Sequence, residues 1–372
     1  MKTETNLYEI AIGFIPGIGN YLTRQLISYC GSPEAVFKTK KQKLMNIPGI
    51  GETLADQILK KEVLQEAEKE LKKVEKEGAQ VLFFTHPAYP QQLKAIGETP
   101  SMLYFKGEMD LNAQRTIAIV GTRKATEYGR QVTEDMVSQL KGLNVSIISG
   151  LAYGIDIIAH KAALKHNIPT LGVMGSGLDV IYPASHKSAV SQMVKNGGIM
   201  TENKMGTAPD AGRFPARNRI VAAISDVTII VESAERGGAL ITAEYANSFN
   251  KEVFAVPGNL NFPYSAGCND LIKKHKAHIY TKISDLIELM NWDLHEEKKV
   301  VKTKKAALPP ELSTEELEIT NCFKDTLELH IDELSWKSGY PVNKIASLLL
   351  NMEFMGLIKP LPGKRFKFLV EI

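Results

Sequence analysis

The chain is short of the residues that most often announce metal or redox chemistry. Its three cysteines, Cys30, Cys268 and Cys322, lie far apart and form no C-x-x-C pair, which argues against a disulfide framework and against a thiolate zinc site. Its eight histidines never fall at H-x-H or H-x-x-x-H spacing, so no histidine metal site is expected. Long apolar runs are missing too: nothing approaches the ~20 residues that cross a bilayer. The opening MKTETNLYEI has no basic region leading into an apolar one, so the expectation is a cytoplasmic chain without a signal peptide. Neither sign of charge dominates: 45 lysines and arginines face 42 acids, a net charge of +3. That balance is too even to argue for a nucleic-acid partner by itself, because such binding depends on where the charge sits. No G-x-x-x-x-G-K-[ST] run occurs, which excludes a P-loop NTPase. The pair Gly175-Ser176-Gly177 leads to Val180 where a dinucleotide fingerprint has its last glycine, and no acid stands where a ribose partner belongs. No cofactor is expected.

What is present is an ordinary globular composition, 44% hydrophobic over 372 residues, enough for two or three domains. Residues 1–78 read as a helical domain with an internal repeat. Ile15-Pro16-Gly17-Ile18-Gly19 recurs as Ile47-Pro48-Gly49-Ile50-Gly51, each copy ahead of an amphipathic segment. This is the pattern of two helix-hairpin-helix motifs. Gly17, Gly19, Gly49 and Gly51 supply tight turns that aim helix N-termini outward. The domain is nearly charge-balanced, so a scaffold role and a role in touching nucleic-acid backbone stand about even. Residues 79–112 read as an extended connector punctuated by Pro87, Pro90 and Pro100. Residues 113–292 alternate strand and helix, with near-continuous apolar strands at Thr116–Val120, Val145–Ser149, Thr170–Met174, Val227–Val231 and Glu252–Val256. That alternation predicts a Rossmann-like α/β domain with a parallel sheet covered on both faces. Residues 293–308 read as a lysine-rich linker. Residues 309–372 read as three helices followed by a Pro362-Gly363 turn and a β segment, Lys364–Val370, which suggests a winged helix.

The chemistry concentrates at the sheet. Ligands of such sheets bind at the carboxyl ends of strands, and the first strand runs into Gly121-Thr122-Arg123. Further on, Arg213, Arg217 and Arg219 crowd around Phe214 and Asn218, and Gly237-Gly238 opens a helix after another strand. Guanidinium forks grip phosphate oxygens bidentately, an aromatic offers a stacking face, and a helix N-terminus supplies N–H donors to an anion. From Met205 to Arg219 only Asp210 opposes the arginines. Lys187, beyond Tyr182 in YPASHK, taken alone is a solvated helix start. Asp156 and His160 share a helix face four residues apart, and read better as a pair holding a loop than as catalysts. In the last domain Lys337, Lys344 and the basic run Lys364-Arg365-Phe366-Lys367 leave both contact with DNA and contact with protein open.

Six segments, AIVGTRKATEYG, SGLAYGIDIIAHKAAL, GVMGSGLDVIYPASHK, FPARNRIVA, GGALITAEYA and VFAVPG, closely resemble in order and spacing the DNA-processing DprA/Smf family. The resemblance spans most of the chain, since flanking helix-hairpin-helix and winged-helix domains also occur in that family. It implies an ATP-independent homodimer that binds single-stranded DNA, protects incoming strands in natural transformation and helps load the recombinase RecA. Residue by residue, it implies DNA contact at Arg123, Lys187, Phe214, Arg217, Asn218 and Arg219, and the strand-end turns add Gly121, Thr122, Gly237 and Gly238 to the expected site. Family members usually carry a lysine three residues before the phenylalanine; here that position is Ala211, and Arg213 beside Phe214 is the expected substitute. The resemblance also implies a dimer edge following Gly267–Ile272, with Ile272 and Ile279 as interface residues.

Two other functions compete. The phosphoribohydrolases called lysine decarboxylase-like carry P-G-G-x-G-T-x-x-E. This chain keeps Gly237-Gly238 and Glu244 at that spacing but has Arg236 for the proline and Leu240-Ile241 for the G-T. Shared geometry without catalysis is the better expectation, and no catalytic residue is assigned. The other rival is a duplex-DNA adaptor acting through the terminal domains.

Overall fold

The computed structural model describes residues 2–94, 96–97, 99–112, 115–292, 312–323, 328–361 and 364–369. The lysine-rich stretch 293–308, the Pro362-Gly363 turn and Val370 lie outside them. The chain divides into two compact units, residues 1–292 and 293–372.

In the first unit the two glycine repeats form matching hairpins. Gly17 and Gly49 sit in turns at φ +82° and +85°, a region closed to most side chains. Gly19 and Gly51 are the N-cap residues of the helices Asn20–Cys30 and Glu52–Ile58. The repeats interlock. A Cβ on Gly17 would stand 2.9 Å from Leu54 of the second copy, and one on Gly49 would stand 2.9 Å from Leu22 of the first. Gly17→Ala and Gly49→Ala should therefore each lower unfolding free energy by about 1–2 kcal/mol, from the left-handed backbone alone. Urea titration checks this, and an unchanged midpoint would refute the strain.

The sheet holds nine strands among the described residues: β1 Gln80–Phe83, β2 Met102–Gly107, β3 Thr116–Val120, β4 Ser146–Ser149, β5 Thr170–Val173, β6 Gly197–Thr201, β7 Val227–Ile230, β8 Glu252–Ala255 and β9 His278–Ile279. Their order is β1-β2-β6-β5-β4-β3-β7-β8-β9. From β6 to β9 every pairing is parallel. The strands are apolar because both faces are buried. Alternate residues serve opposite sides. Ile117 and Ile119 pack with Met136 and Val137 of the helix Glu127–Gln139, while Ala118 and Val120 pack with Ile220 and Val221 of the helix Arg213–Ile224.

The segment read as a connector is part of this sheet. β1 and β2 extend it as an antiparallel edge beyond β6. Gln92 bonds Asp226 at 2.7 Å, and Asp226 in turn accepts from Thr116 N–H. Nor does the helical segment stand apart from the sheet. The Glu70 carboxylate accepts the Met205 N–H at 2.6 Å, and Asn20 accepts from Ser101. Helical segment, connector and sheet share one compact unit.

The second unit has the helices Thr314–Cys322, Ile331–Ser338 and Val342–Phe354, and a sheet ordered β10-β12-β11 from Glu328–His330, Arg365–Phe368 and Ile358–Leu361. The expected winged helix is present, with a short strand, β10, that its polar sequence does not announce. Ile319, Leu334, Ile345 and Leu349 form the core, and Phe323 stacks on Phe368 at 5.4 Å.

Candidate nucleic-acid interface

The chain lays down β3, β4, β5 and β6 outward in one direction, then returns to place β7 on the other side of β3. Connections therefore diverge between the carboxyl ends of β3 and β7, where such sheets open a crevice for ligands. A cavity of about 650 Å³ lies there. The turn after β3 (Gly121-Thr122-Arg123), Gly150 after β4 and Gly237-Gly238 at the start of the helix Gly238–Ser248 all line it. So do Phe214, Arg217 and Asn218 from the helix Arg213–Ile224.

The Arg123 turn is held from three sides. Thr122 N–H donates to the Glu232 carbonyl at 2.7 Å, and Ile155 N–H donates back to the Thr122 carbonyl. Gly154, at φ +75°, allows that approach: a Cβ there would stand 2.1 Å from the Thr122 oxygen. The Glu232 carboxylate is buried and accepts both the N–H and the hydroxyl of Thr126, the N-cap of the next helix. Sequence reasoning missed Gly154 and Glu232, since neither glycine nor glutamate stands out in its segment. Arg123 is exposed and lies over the Phe214 ring, 5.1 Å from its centroid. Phe214 also meets Tyr182, with ring centroids 5.9 Å apart. Gly175 lets the ring sit close, as a Cβ there would be 3.2 Å from it.

The three arginines of the 213–219 segment do different things. Arg213 is exposed beside Phe214 and donates to the Ala208 carbonyl at 2.8 Å. Arg217, expected as an exposed phosphate grip, is 4% exposed. Its guanidinium donates to the carbonyls of Gly150 and Val173, tying the ends of β4 and β5 under the cavity. Burial lowers its pKa to about 10, against the pull of Asp156. Burial likewise pushes the Asp156 carboxyl up, opposed by Arg217. Arg219, also expected on the DNA surface, points elsewhere and pairs with Glu202 at 2.5 Å. The reason is helical geometry: residues two apart on a helix do not share a face. Phe214, Arg217, Asn218 and Val221 do share one, and all line the cavity.

Other expected residues are placed as follows. Asn218 bridges to the Gly238 carbonyl at 3.3 Å. Ala211, the position where a lysine is expected of the family, lines the cavity. Lys187 is exposed and does not line the cavity itself. Asp156 accepts from the loop N–H of Ala152, and His160 bonds Thr170 at 2.7 Å. Each holds structure, and burial drops the His160 pKa to about 3. Glu244 is exposed and outside the cavity lining, so the skeleton shared with phosphoribohydrolases does not bring its acid to the site. In the second unit Lys344 pairs with Glu315 at 2.6 Å, and Lys367 pairs with Glu328 at 3.5 Å, which removes two of the cations offered there for DNA.

Comparison with known proteins settles the lineage. The family model described as DNA recombination-mediator protein A matches residues 80–291, more than half of the chain. The chain belongs to this family. The DprA winged-helix model matches residues 303–364 of this DprA-family protein, and a SAM-like tandem helix-hairpin-helix model matches residues 11–61. It is similar to Protein Smf of Synechocystis, with 29% identity over 99% of this chain and 100% of that protein. Among solved structures it resembles DprA from Streptococcus pneumoniae, at TM-score 0.63 and 28% identity, covering 77% of this chain and 97% of that one. It also resembles DprA from Helicobacter pylori, a structure described for its single-stranded DNA binding mode, at TM-score 0.52 and 32% identity, covering 57% and 95%. No helix among the described residues of this DprA-family chain is long and apolar enough to cross a membrane.

Proposed function

We propose that the chain is a single-stranded-DNA-binding recombination mediator. In this reading it protects incoming DNA in natural transformation, helps load RecA onto it, and works as a homodimer in the cytoplasm. One observation carries the DNA assignment: an exposed arginine stacked on a half-buried phenylalanine at the crevice where phosphate-binding turns converge. Arginine plus aromatic holds phosphate and base together without reading sequence. Kinship with the Helicobacter pylori protein supports the same partner. For the dimer, the support is the sheet edge: β9 ends the sheet, Ile279 on it is 49% exposed, and Ile272 nearby is half-buried. An open edge strand presents unpaired backbone groups, a ready template for a second chain, and Ile279 adds an exposed apolar side chain to it. The hairpin glycines Gly17, Gly19, Gly49 and Gly51 are assigned a secondary role on DNA backbone.

The test is a titration of the full chain with single- and double-stranded oligonucleotides of one sequence, at two salt concentrations. Single strands should bind tighter, and the log–log salt slope should be about 0.7 per phosphate neutralised. Duplex binding as tight as single-strand binding would instead assign the chain to a duplex adaptor.

A further inference from the structure

The formal charges lining the cavity cancel: Arg123 and Arg217 against Asp156 and Asp210. Arg217 and Asp156 are buried: the guanidinium is spent on the Gly150 and Val173 carbonyls, and the carboxylate accepts the Ala152 N–H and feels the Arg217 charge. Arg123 is therefore the cation the cavity has to offer a polyanion, enough for a short piece of it, and further positive charge has to come from outside the cavity. One such region adjoins the site. A surface groove of about 410 Å³ lies between the helices Ile155–Lys165 and Lys187–Met193, lined by Lys161, Lys165, Ser185, Ser188, Leu164 and Gln192. Lys161 and Lys165 are exposed, with no carboxylate partner among the described residues. From residue 155 to 196 the acids are Asp156, which is buried, and Asp179, whose carboxylate accepts the Gly206 N–H at 2.7 Å. Lys161 and Lys165 thus line the groove without an ion-pair partner among the described residues, and Lys187 and Lys195 follow on the same stretch of chain.

Aromatic faces bridge the interval. Tyr182, 45% exposed, packs on Phe214. A small recess lined by Arg123, Phe214, Tyr182 and Tyr153 leads away from the cavity. Tyr153, 49% exposed, meets His186 edge-on at 5.1 Å. His186 lies between Ser185 and Lys187, and Lys161 is close enough to disfavour its protonation, after burial as the larger cause.

We propose that a single strand leaving the cavity runs across Tyr182 and Tyr153 into this lysine groove, which serves as a second segment of the footprint. The inference rests on the single-strand reading above. Its chemistry is the sequence-tolerant alternation of stacking face and cationic groove. The groove has serine hydroxyls and an amide beside its two lysines to bond phosphate oxygens.

The experiment compares the full chain with Lys161→Gln/Lys165→Gln, using oligothymidylates of about six and about twenty nucleotides. The short probe fits the cavity alone. The variant should bind it as the parent does. It should bind the long probe about ten-fold more weakly, with a salt slope lower by about 1.4, two phosphates at 0.7 each. Tyr153→Ala should weaken only the long probe, and Tyr153→Phe should restore it. Equal loss on both probes, or no loss on the long one, overturns the track while leaving the cavity assignment standing. Failure of the parent protein to bind either probe overturns the single-strand reading, and the track with it. All substituted side chains are exposed, so circular dichroism should match the parent.

Discussion

Arg217→Ala should lower the unfolding free energy of the first unit by about 3–5 kcal/mol, because two buried carbonyls are left without their donor at about 1–3 kcal/mol each and a buried carboxylate loses the cation that favours its charge. Three losses add up. The carbonyls of Gly150 and Val173 lose their donor, the Asp156 carboxylate loses its cation, and the ends of β4 and β5 lose their tie. Replacement by a small side chain is made worse by packing: a Cβ on Gly150 would lie 2.2 Å from the guanidinium, so the backbone was brought close for that group alone. The deficit should depend on pH in a stated direction. Burial holds the Asp156 carboxyl above its ordinary range and Arg217 draws it down, so removing Arg217 raises it further. A folded-state carboxyl pKa above the unfolded one means that the folded variant takes up a proton more readily than the unfolded chain. Acid should therefore favour the folded variant, and the deficit should shrink as pH falls from 7 towards 5. Urea denaturation at both values checks it. A constant deficit would mean that Asp156 is not the group left uncompensated. Arg217→Lys keeps charge but offers one compact ammonium where a planar fork spans two strands, and should fall between parent and alanine.

Much of this was legible in the sequence, and what was not has identifiable causes. The parallel strands announced themselves because burial on both faces forces unbroken apolar runs such as Thr116–Val120 and Val227–Ile230. β1 and β2 were legible only as short extended pieces of a connector, residues 81–85 and 102–106, because an antiparallel edge among prolines carries no sign that it joins the sheet. The turn residues Gly121, Arg123, Gly237 and Gly238 were found from their place after strands, and the structure gathers them on one cavity. The arginine run was overread. Three cations within seven residues look like one surface only if the segment is extended. As a helix it sends Arg217 under the floor and Arg219 to Glu202. Proline two residues into the helix, at Pro215, is where a helix tolerates it, and that was the available signal. Glu232 carried no signal, since a buried carboxylate becomes recognisable only once Thr126 is folded beside it.

Arg123→Ala combined with Phe214→Ala should weaken single-strand binding by about 2–4 kcal/mol, roughly thirty- to a thousand-fold. A stacked base contributes about 1–3 kcal/mol by alanine substitution, and a charge-assisted bond to phosphate about 1.5–3. The sum of the single losses should exceed the double loss, because each residue positions the other: the guanidinium lies 5.1 Å from the ring centroid, and removing the ring frees the side chain that holds the phosphate. A double-mutant cycle should return a coupling of about 0.5–1 kcal/mol, the value of an exposed cation–π contact. Arg123→Lys should keep part of the salt slope and lose most of the coupling, since an ammonium offers neither the plane nor the fork. Phe214→Tyr should bind almost as the parent. Arg213→Ala should cost less than either alanine, because that guanidinium already serves the Ala208 carbonyl. Arg123 is exposed and Phe214 half-buried, so stability should change far less than affinity. Wild-type affinity in the double variant, measured by fluorescence anisotropy, would remove this cavity as the DNA site. Strict additivity would leave the site in place and break the stacked pair as its working unit.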